Sequence, residues 1–530
     1  MLFTSYAFIG FLLVLLFLYY RIPARHQWKL LLIASYLFYA IAGTTYILYI
    51  LLTTVTVYLA ALRIGAIGAQ QRAYLAAHRS ELTKEERRDY KCRMKKRQRQ
   101  VLLAALLLNL GVLAAVKYTN FAIDNINGLV RLLGGEGRLS FWNLALPMGI
   151  SFYTFQAIGY LVDVYRGVVE PERNPFQFAL FVSFFPQLVQ GPISRFKDLS
   201  ETLYARHPFD PQIVARGLQR VLWGFFKKLV IADRILVAVN TILGDSGQYT
   251  GAYVFAGMLF YALQLYADFT GGIDITIGVA QALGVTVREN FIRPYFSKSV
   301  KEYWRRWHIS MGTWFTDYVF YPVSVCKPML RLSKLSRAKL GDKLGKRLPV
   351  YISSFTVWLA TGLWHGAGWN FIIWGLANWA IIMVSQELEP LYTRFHRRFP
   401  VTGKRWFKLI QVGRTVLIMS CLRLFDCYKD VPLTFKMFVS MFTARNWAIL
   451  FDGSLLALGL SPLDYAILTA GLLLLITVSL AQRHGSVRGM IAAKPYPLRF
   501  ILWFGLFLMV RFMGAYGIGY DESQFIYHQF

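Results

Sequence analysis

The feature that most constrains this chain is a series of apolar runs, each about as long as a bilayer is thick, separated by short basic segments. A helix needs about 20 apolar residues to cross the hydrocarbon core. Because unpaired backbone groups are costly in lipid, each run is expected to be helical. The runs that predict membrane spans are 1–20, 29–43, 44–63, 101–117, 145–165, 176–191, 252–284, 349–363, 365–385, 409–425, 464–482 and 500–516.

Three further segments are less uniform. Segment 217–240 mixes apolar residues with Lys and Arg, which predicts an interfacial or tilted helix, and 287–325 and 434–446 are predicted to be interfacial or re-entrant. No linker and no repeat of fixed period divides the chain. We therefore predict an all-α, polytopic membrane domain over 1–530, with about 11–13 transmembrane or re-entrant helices. Run 1–20 lacks a basic start and a small-residue cleavage site, so it is expected to be a retained span.

The basic segments predict the orientation, because Lys and Arg accumulate on the cytoplasmic side of membrane proteins. Segment 84–99 carries nine Lys and Arg and follows three predicted spans, so the N-terminus is expected outside. Segments 326–347, 394–408 and 482–499 are also expected to be cytoplasmic. The last predicted span, 500–516, would then lead the C-terminus to the external face.

The formal net charge of +30 would suggest nucleic-acid binding in a soluble chain. Here the cations cluster between apolar runs, so the expected partner is the lipid bilayer and not nucleic acid. The four cysteines form no CxxC pair, and no second ligand stands at useful spacing from a histidine, so no metal site is predicted. Phosphate-binding loops, nucleophile elbows and HExxH motifs are also missing from the sequence.

His365 is the first of two histidines expected at membrane depth. It lies in "TGLWHGAGWNFIIWG", between two apolar runs and among Gly362, Gly366, Gly368 and Gly375. Glycine permits sharp bends and close backbone approach, so His365 is expected to face a crevice. An imidazole there can act as a general base. A packing role at a helix turn is the alternative.

His308 is the second of these histidines. In "SVKEYWRRWHISMGTWFTDYVFYP", Trp304, His308, Met311, Phe315 and Tyr318 recur at helical spacing. This predicts one interfacial amphipathic helix with His308 on its buried face. The imidazole could serve function or simply be a satisfied core group.

Two carboxylates interrupt the apolar run 252–284. Asp268 and Asp274 lie in "YADFTGGIDITIGVAQALG" beside a pair of glycines. Intramembrane carboxylates often line polar pathways. Structural hydrogen bonding is the simpler interpretation of both, and it is the one favoured here.

Five stretches, in this order, resemble the membrane-bound O-acyltransferase superfamily, in its alginate O-acetyltransferase-like branch. The resemblance covers most of the chain and is strongest over 146–380. It implies a many-helix body around a central tunnel. The stretches are "LPMGISFYTFQAIGYLVDVYRG" (146–167), "FFPQLVQGPISR" (184–195), "ADFTGGIDITIGVAQALG" (267–284), "NFIRPYFSKSVKEYWRRWHISMGTWFTDYVFYP" (290–322) and "TGLWHGAGWNFIIWGLANW" (361–379).

The resemblance assigns roles to individual residues. His365 corresponds to the family's catalytic histidine and His308 to its second histidine. Residues of the same blocks would line the tunnel or bind substrate, and these are Trp304, Trp307, Trp364 and Asp268.

The tail, 521–530, ends in "FIYHQF" and is similar to the F-x-Y-x-x-F ending found in this family. By that resemblance Tyr527 would carry the acyl group as an ester, and Phe525 and Phe530 would seat the tail. By itself the motif would suggest an interfacial aromatic anchor. The eight residues before it, fully extended, reach on the order of 25 Å.

The implied reaction uses acetyl-CoA or another acyl thioester as the cytoplasmic donor, with no bound cofactor. The implied partners are a separate extracytoplasmic acetyltransferase and a polysaccharide acceptor, at the cytoplasmic membrane of a bacterium. Two alternatives stay open. One is D-alanyl transfer to teichoic-acid-type polymers. The other is a transporter or flippase without chemistry, which intramembrane Asp and His would also fit.

Overall fold

A computed structural model describes residues 3–516, except for the side chain of Lys343. These residues form helices and loops, and no strand occurs among them. Two compact units can be distinguished. The first runs up to Val214 and includes Ala280–Val287, and the second comprises Ala215–Val279 and the chain from Arg288 onward. The prediction of a single domain over 1–530 stays a prediction.

The first unit is built on long apolar helices followed by shorter ones. Its helices are α1 (Tyr6–Arg21), α2 (Gln27–Ala42), α3 (Tyr46–Ala77), α4 (Lys84–Leu132), α5 (Ile150–Arg166), α6 (Pro175–Ser183), α7 (Phe185–Leu188) and α8 (Phe196–Leu203). A 3-10 turn, Ala24–His26, joins α1 to α2.

The second unit contains the remaining helices, and two of its segments are π-helical, Phe226–Ala232 and Thr316–Phe320. Short 3-10 turns occur at Pro294–Phe296, Trp447–Leu450 and Ser454–Ala457. The helices are α9 (Pro211–Phe225), α10 (Asp233–Gly244), α11 (Ala252–Ala282), α12 (Val300–Arg306), α13 (Ile309–Phe315), α14 (Tyr321–Ser324), α15 (Lys327–Gly345), α16 (Arg347–His365), α17 (Trp369–Glu387), α18 (Glu389–Arg398), α19 (Arg405–Tyr428), α20 (Val431–Thr443), α21 (Pro462–Ala481), α22 (Val487–Ala492) and α23 (Tyr496–Met513).

The structure confirms that the predicted apolar runs are helical, and the chain is a polytopic membrane protein. Five described helices are long and apolar enough to cross a membrane by themselves, namely α3, α4, α11, α21 and α23. The bent pair α17 and α18 would make a sixth, while α1 and α20 are shorter apolar helices. The 11–13 elements expected from the sequence therefore include many that are short, bent or interrupted.

The basic segment 84–99 is not a loop, as the sequence suggested, but the first four turns of the 49-residue helix α4. A capping box fixes its start. The backbone N–H of Glu86 donates to Thr83 Oγ1 at 3.2 Å, and the backbone N–H of Thr83 donates to Glu86 Oε2 at 2.8 Å. The basic segment 84–99 and the apolar run 101–117 are thus parts of one continuous helix, in which the basic residues extend the apolar part into water.

The predicted span 176–191 is wrong as a single span. Helix α6 ends at Ser183, Phe184 adopts φ −52° and ψ 105°, and α7 contains only four residues. Pro186 explains the break, because its ring would clash with the carbonyl group of Val182 if the helix continued. Nine residues of helix rise only about 14 Å, which is too short to cross the hydrocarbon core.

Candidate active site

His365 is the last residue of α16, and three residues separate it from Trp369, which begins α17. Its side chain is 7% exposed, and its ring lies 4.7 Å from the ring of Trp374 and 5.1 Å from that of Trp364 in edge-on geometry. His365 is therefore buried within the protein, and the expectation that it faces a crevice stays a prediction. Aromatic walls limit the orientations that this imidazole can adopt.

Glycines let the two helices beside His365 approach closely. A Cβ atom at Gly362 would lie 2.5 Å from the carbonyl oxygen of Phe371, and one at Gly375 would lie 2.5 Å from the carbonyl oxygen of Trp358. A Cβ at Gly366 would overlap the ring of Phe371 at 2.1 Å. Helices α16 and α17 consequently pack backbone against backbone around the histidine.

The Gly362→Ala substitution is expected to destabilise the protein by about 1–3 kcal/mol, because the added methyl group must push α17 away. Gly413→Ala in α19 is the matched control, since no atom lies within 4 Å of a Cβ there. That control should gain up to about 1 kcal/mol of helix propensity. Thermal unfolding in detergent measures both. Equal melting temperatures for the two variants would contradict the close packing described here.

His308 lies at a break between α12 and α13 and not within one helix, so the predicted continuous amphipathic helix is wrong. Its backbone is left-handed, with φ 50° and ψ 52°. Asn290 holds this strained turn: its backbone carbonyl accepts from the N–H of Ile309 at 3.0 Å, and its side-chain oxygen accepts from the N–H of Ser310 at 2.9 Å. The prediction that His308 is buried is correct, at 1% exposure.

The imidazole of His308 lies outside the five long apolar helices. Asn290 Nδ2 is 3.4 Å from its Nδ1 atom, and the ring of Phe269 is 5.0 Å from its ring. Burial, with a smaller contribution from the Arg423 guanidinium, lowers the pKa of His308 to about 3. The ring is therefore neutral at pH 7 and suited to hydrogen bonding more than to carrying charge.

Trp364 lies between the two histidines. Its ring centroid is 5.9 Å from that of His308 and 5.1 Å from that of His365. One buried indole therefore contacts both imidazoles. The structure brings together three residues that the family resemblance selected separately.

A cavity of about 470 Å³ adjoins His308. Trp304 and Trp307 also line it, together with Met311 and Thr361, whereas Trp364 and Asp268 are not among its described lining residues. That the four predicted residues line a tunnel stays a prediction. Trp304 is held by a hydrogen bond from its Nε1 to Asn378 Oδ1 at 3.0 Å. Among the described residues, the lining includes His308 but does not include His365.

A buried ion pair lies beside the two histidines. It was not predicted from the sequence. Arg423 donates to Asp426 Oδ2 at 2.8 Å within α19, and both side chains are at most 7% exposed. The guanidinium lies 5.3 Å from the ring centroid of Trp307, the neighbour of His308 in the chain, and 5.2 Å from that of Trp374 in α17, whose ring contacts His365. The sequence feature that could have indicated this pair is its i, i+3 spacing, with Arg423 inside the apolar run 409–425 and Asp426 just after it.

Asp268 and Asp274 form ion pairs with neighbouring lysines. Lys228 Nζ lies 2.7 Å from Asp268 and 2.7 Å from Asp233. Lys227 Nζ lies 2.7 Å from Asp274. This agrees with the structural interpretation of both carboxylates, and a substrate-binding role for Asp268 stays a prediction. No cluster of three or more His, Cys, Asp or Glu side chains suited to a metal occurs within residues 3–516.

The remaining predicted site residues, Phe525, Tyr527 and Phe530, lie outside the described residues. Their roles stay predictions.

The structure thus brings together two buried histidines, an indole that contacts both, and an adjacent cavity in a polytopic helical protein. The model of the membrane-bound O-acyltransferase family matches residues 172–428, which include both histidines. The chain belongs to this family, in its alginate O-acetyltransferase-like branch, and is an O-acyltransferase.

Curated relatives agree with this assignment. The chain is 33% identical over 458 residues to the probable alginate O-acetylase AlgI of Azotobacter vinelandii, covering 85% of this chain and 79% of the relative. It is 30% identical over 325 residues to the peptidoglycan O-acetyltransferase of Helicobacter pylori, covering 56% and 58%. It is 26% identical over 279 residues to the teichoic acid D-alanyltransferase of Bacillus subtilis, covering 51% and 66%.

Proposed function

We propose that this protein moves an acetyl group from cytoplasmic acetyl-CoA across the bacterial cytoplasmic membrane, toward hydroxyl groups of an extracytoplasmic polysaccharide. The observation that carries the proposal is the 33% identity to a probable alginate O-acetylase over 85% of the chain. The lower identity to a D-alanyltransferase, over about half of the chain, favours acetyl over D-alanyl as the group transferred.

The proposed chemistry has two transfers. The phenolic oxygen of Tyr527 attacks the thioester carbonyl carbon, its proton passes to a nitrogen of His365, and the carbon–sulfur bond breaks. The thiolate leaves and takes up that proton as free thiol. A polymer hydroxyl then attacks the tyrosyl ester and regenerates the phenol. Since a phenol has an ordinary pKa near 10, the first attack needs a base.

The neighbours of His365 support the role of base. Trp364 and Trp374 hold the imidazole edge-on in a site with little exposure, where a general base acts without competition from bulk water. His308 is proposed to orient the thioester, because it is neutral and lines the adjacent cavity with Trp304 and Trp307. Phe525 and Phe530 are proposed to seat the tail.

The topology follows the positive-inside rule. The basic segments are proposed to face the cytoplasm, where the donor is available, and both termini to lie outside. An extracytoplasmic acetyltransferase is the proposed partner for delivery to the polymer.

Donor specificity tests this proposal directly. Purified full-length protein is expected to release free thiol from acetyl-CoA and to become acetylated on the peptide that contains Tyr527. Thiol titration and peptide mass spectrometry measure the two events. D-Alanyl-carrier protein, supplied in parallel, should give neither. Acylation from the alanyl donor alone would move the enzyme to the D-alanyl class, and no reaction with either donor would overturn acetyl-CoA as the proposed donor.

A further inference from the structure

A second cavity, separate from the one beside His308, lies within the second unit. Its volume is about 740 Å³. Side chains from α9, α11, α21 and α23 line it, together with residues that follow α11 and α21 in the chain. The sequence did not indicate it, because its walls come from two segments, 219–293 and 474–509, that are far apart in the chain.

The outer wall of this cavity is hydrocarbon. Helices α21 and α23 supply Leu474, Val478, Leu502 and Leu506, and both helices are apolar and long enough to cross a membrane. Leu502 is 43% exposed while it lines the cavity, so the wall is continuous with the surface that faces lipid. Gly505 adds open space, since no atom lies within 4 Å of a Cβ built there.

The inner wall is cationic. Within residues 3–516, its Lys, Arg, Asp and Glu side chains are four cations and two anions, namely Arg220, Lys227, Arg293, Arg488, Asp274 and Glu289. The two anions are already engaged. Arg220 lies 2.8 Å from Asp274 and 2.6 Å from Glu289, and Lys227 lies 2.7 Å from Asp274.

Arg293 and Arg488 lie on the same wall, and the ionisable side chains of the described lining together carry two net positive charges. Arg293 Nη1 is 3.5 Å from the carbonyl oxygen of Ser479, and Arg488 Nη1 donates to the carbonyl oxygen of Arg216 at 2.6 Å. Burial and repulsion from the guanidinium groups of Arg306 and Arg483 lower the pKa of Arg293. A bound anion would relieve that repulsion.

We propose that this cavity is a binding site for an anionic phospholipid of the bilayer. The phosphate would lie against Arg293 and Arg488, and an acyl chain would lie between α21 and α23 beside Gly505. The basic segment 482–499, predicted to be cytoplasmic, adjoins the cavity through Arg488, which matches the leaflet that carries a negative surface potential. A basic pocket between membrane helices on that side fits such a headgroup.

Lipid binding to the full chain tests the site. Native mass spectrometry in non-ionic detergent counts bound lipid after addition of phosphatidylglycerol or phosphatidylcholine. Wild-type protein should retain phosphatidylglycerol and not phosphatidylcholine. Arg293→Gln and Arg488→Gln should each weaken phosphatidylglycerol binding about fivefold, as expected for one cation near an anionic headgroup. Arg331→Gln, an exposed residue of α15, is the matched control and should bind as wild type does.

A steric variant tests the acyl-chain half of the site. Gly505→Phe should fill the groove and reduce binding, whereas Gly111→Phe, at an equally open position of α4, should not. Equal retention of both lipids, or phosphatidylglycerol binding unchanged by all three cavity variants, would overturn the proposal. So would binding of inorganic phosphate or CoA that the arginine variants abolish, because the cavity would then serve a soluble phosphate ligand.

Discussion

Replacing His365 with glutamine is expected to abolish acetyl transfer while the protein stays folded. Glutamine keeps a polar group of similar reach between Trp364 and Trp374, so the packing at the end of α16 should survive. It cannot accept the phenolic proton in the transition state. Loss of general-base assistance lowers rates by about 10²–10⁴-fold. Thiol release from acetyl-CoA by purified protein should therefore fall by that factor, with an unchanged melting temperature.

Variants of two other histidines serve as comparisons for the His365 variant. His484→Gln, at an exposed position between α21 and α22, should leave thiol release at the wild-type rate. His308→Gln should raise the KM for acetyl-CoA more than it lowers kcat, because a neutral imidazole on the cavity wall acts on donor position. Wild-type thiol release by the His365 variant would remove this residue from the mechanism and leave it a packing group.

The part of this site that could be predicted from the sequence is the part with a local cause. The glycines around His365 indicated a close helix approach, and a Cβ at Gly362 or Gly375 would indeed lie 2.5 Å from the facing backbone. Apolar runs predicted helices because lipid leaves the backbone no other partner. These signals are contained within about twenty residues each and need no knowledge of the fold.

The break at His308 could not be predicted, because its cause is tertiary. Helical spacing from Trp304 to Tyr318 favoured one continuous helix. Asn290, 18 residues before His308, instead captures the N–H groups of Ile309 and Ser310 and stabilises a left-handed residue between two short helices. Periodicity reports which side of an element is apolar, but it does not report a competing hydrogen-bond acceptor from elsewhere in the chain.

The Arg423–Asp426 pair was missed for a related reason. The i, i+3 spacing of the pair was visible in the sequence. Its place beside the site depends on Trp307 and Trp374, which contact the guanidinium from positions 116 and about 50 residues earlier in the chain. A charge in an apolar run marks a polar interior without indicating which neighbours it joins. The structure shows that the cation contacts Trp307, next to His308 in the chain, and Trp374 of α17, which packs against the ring of His365.

The Tyr527→Phe substitution in the tail motif is also expected to have a large effect on acetyl transfer. Phenylalanine keeps the ring that would seat in the site and removes only the hydroxyl oxygen on which the ester forms. Acetylation of the polymer in cells should fall to the level of a deletion strain, with normal amounts of protein in the membrane. The peptide that contains position 527 should lose its acetyl group in the purified reaction. Tyr520→Phe, one residue before the tail, is the matched control and should leave both readouts unchanged. Polymer acetylation at the wild-type level in the Tyr527 variant would exclude a tyrosyl ester, and the acetyl group would then have to pass directly from the thioester to the acceptor. Since His365→Gln should stop thiol release whichever hydroxyl attacks, the two variants together separate the base from the carrier.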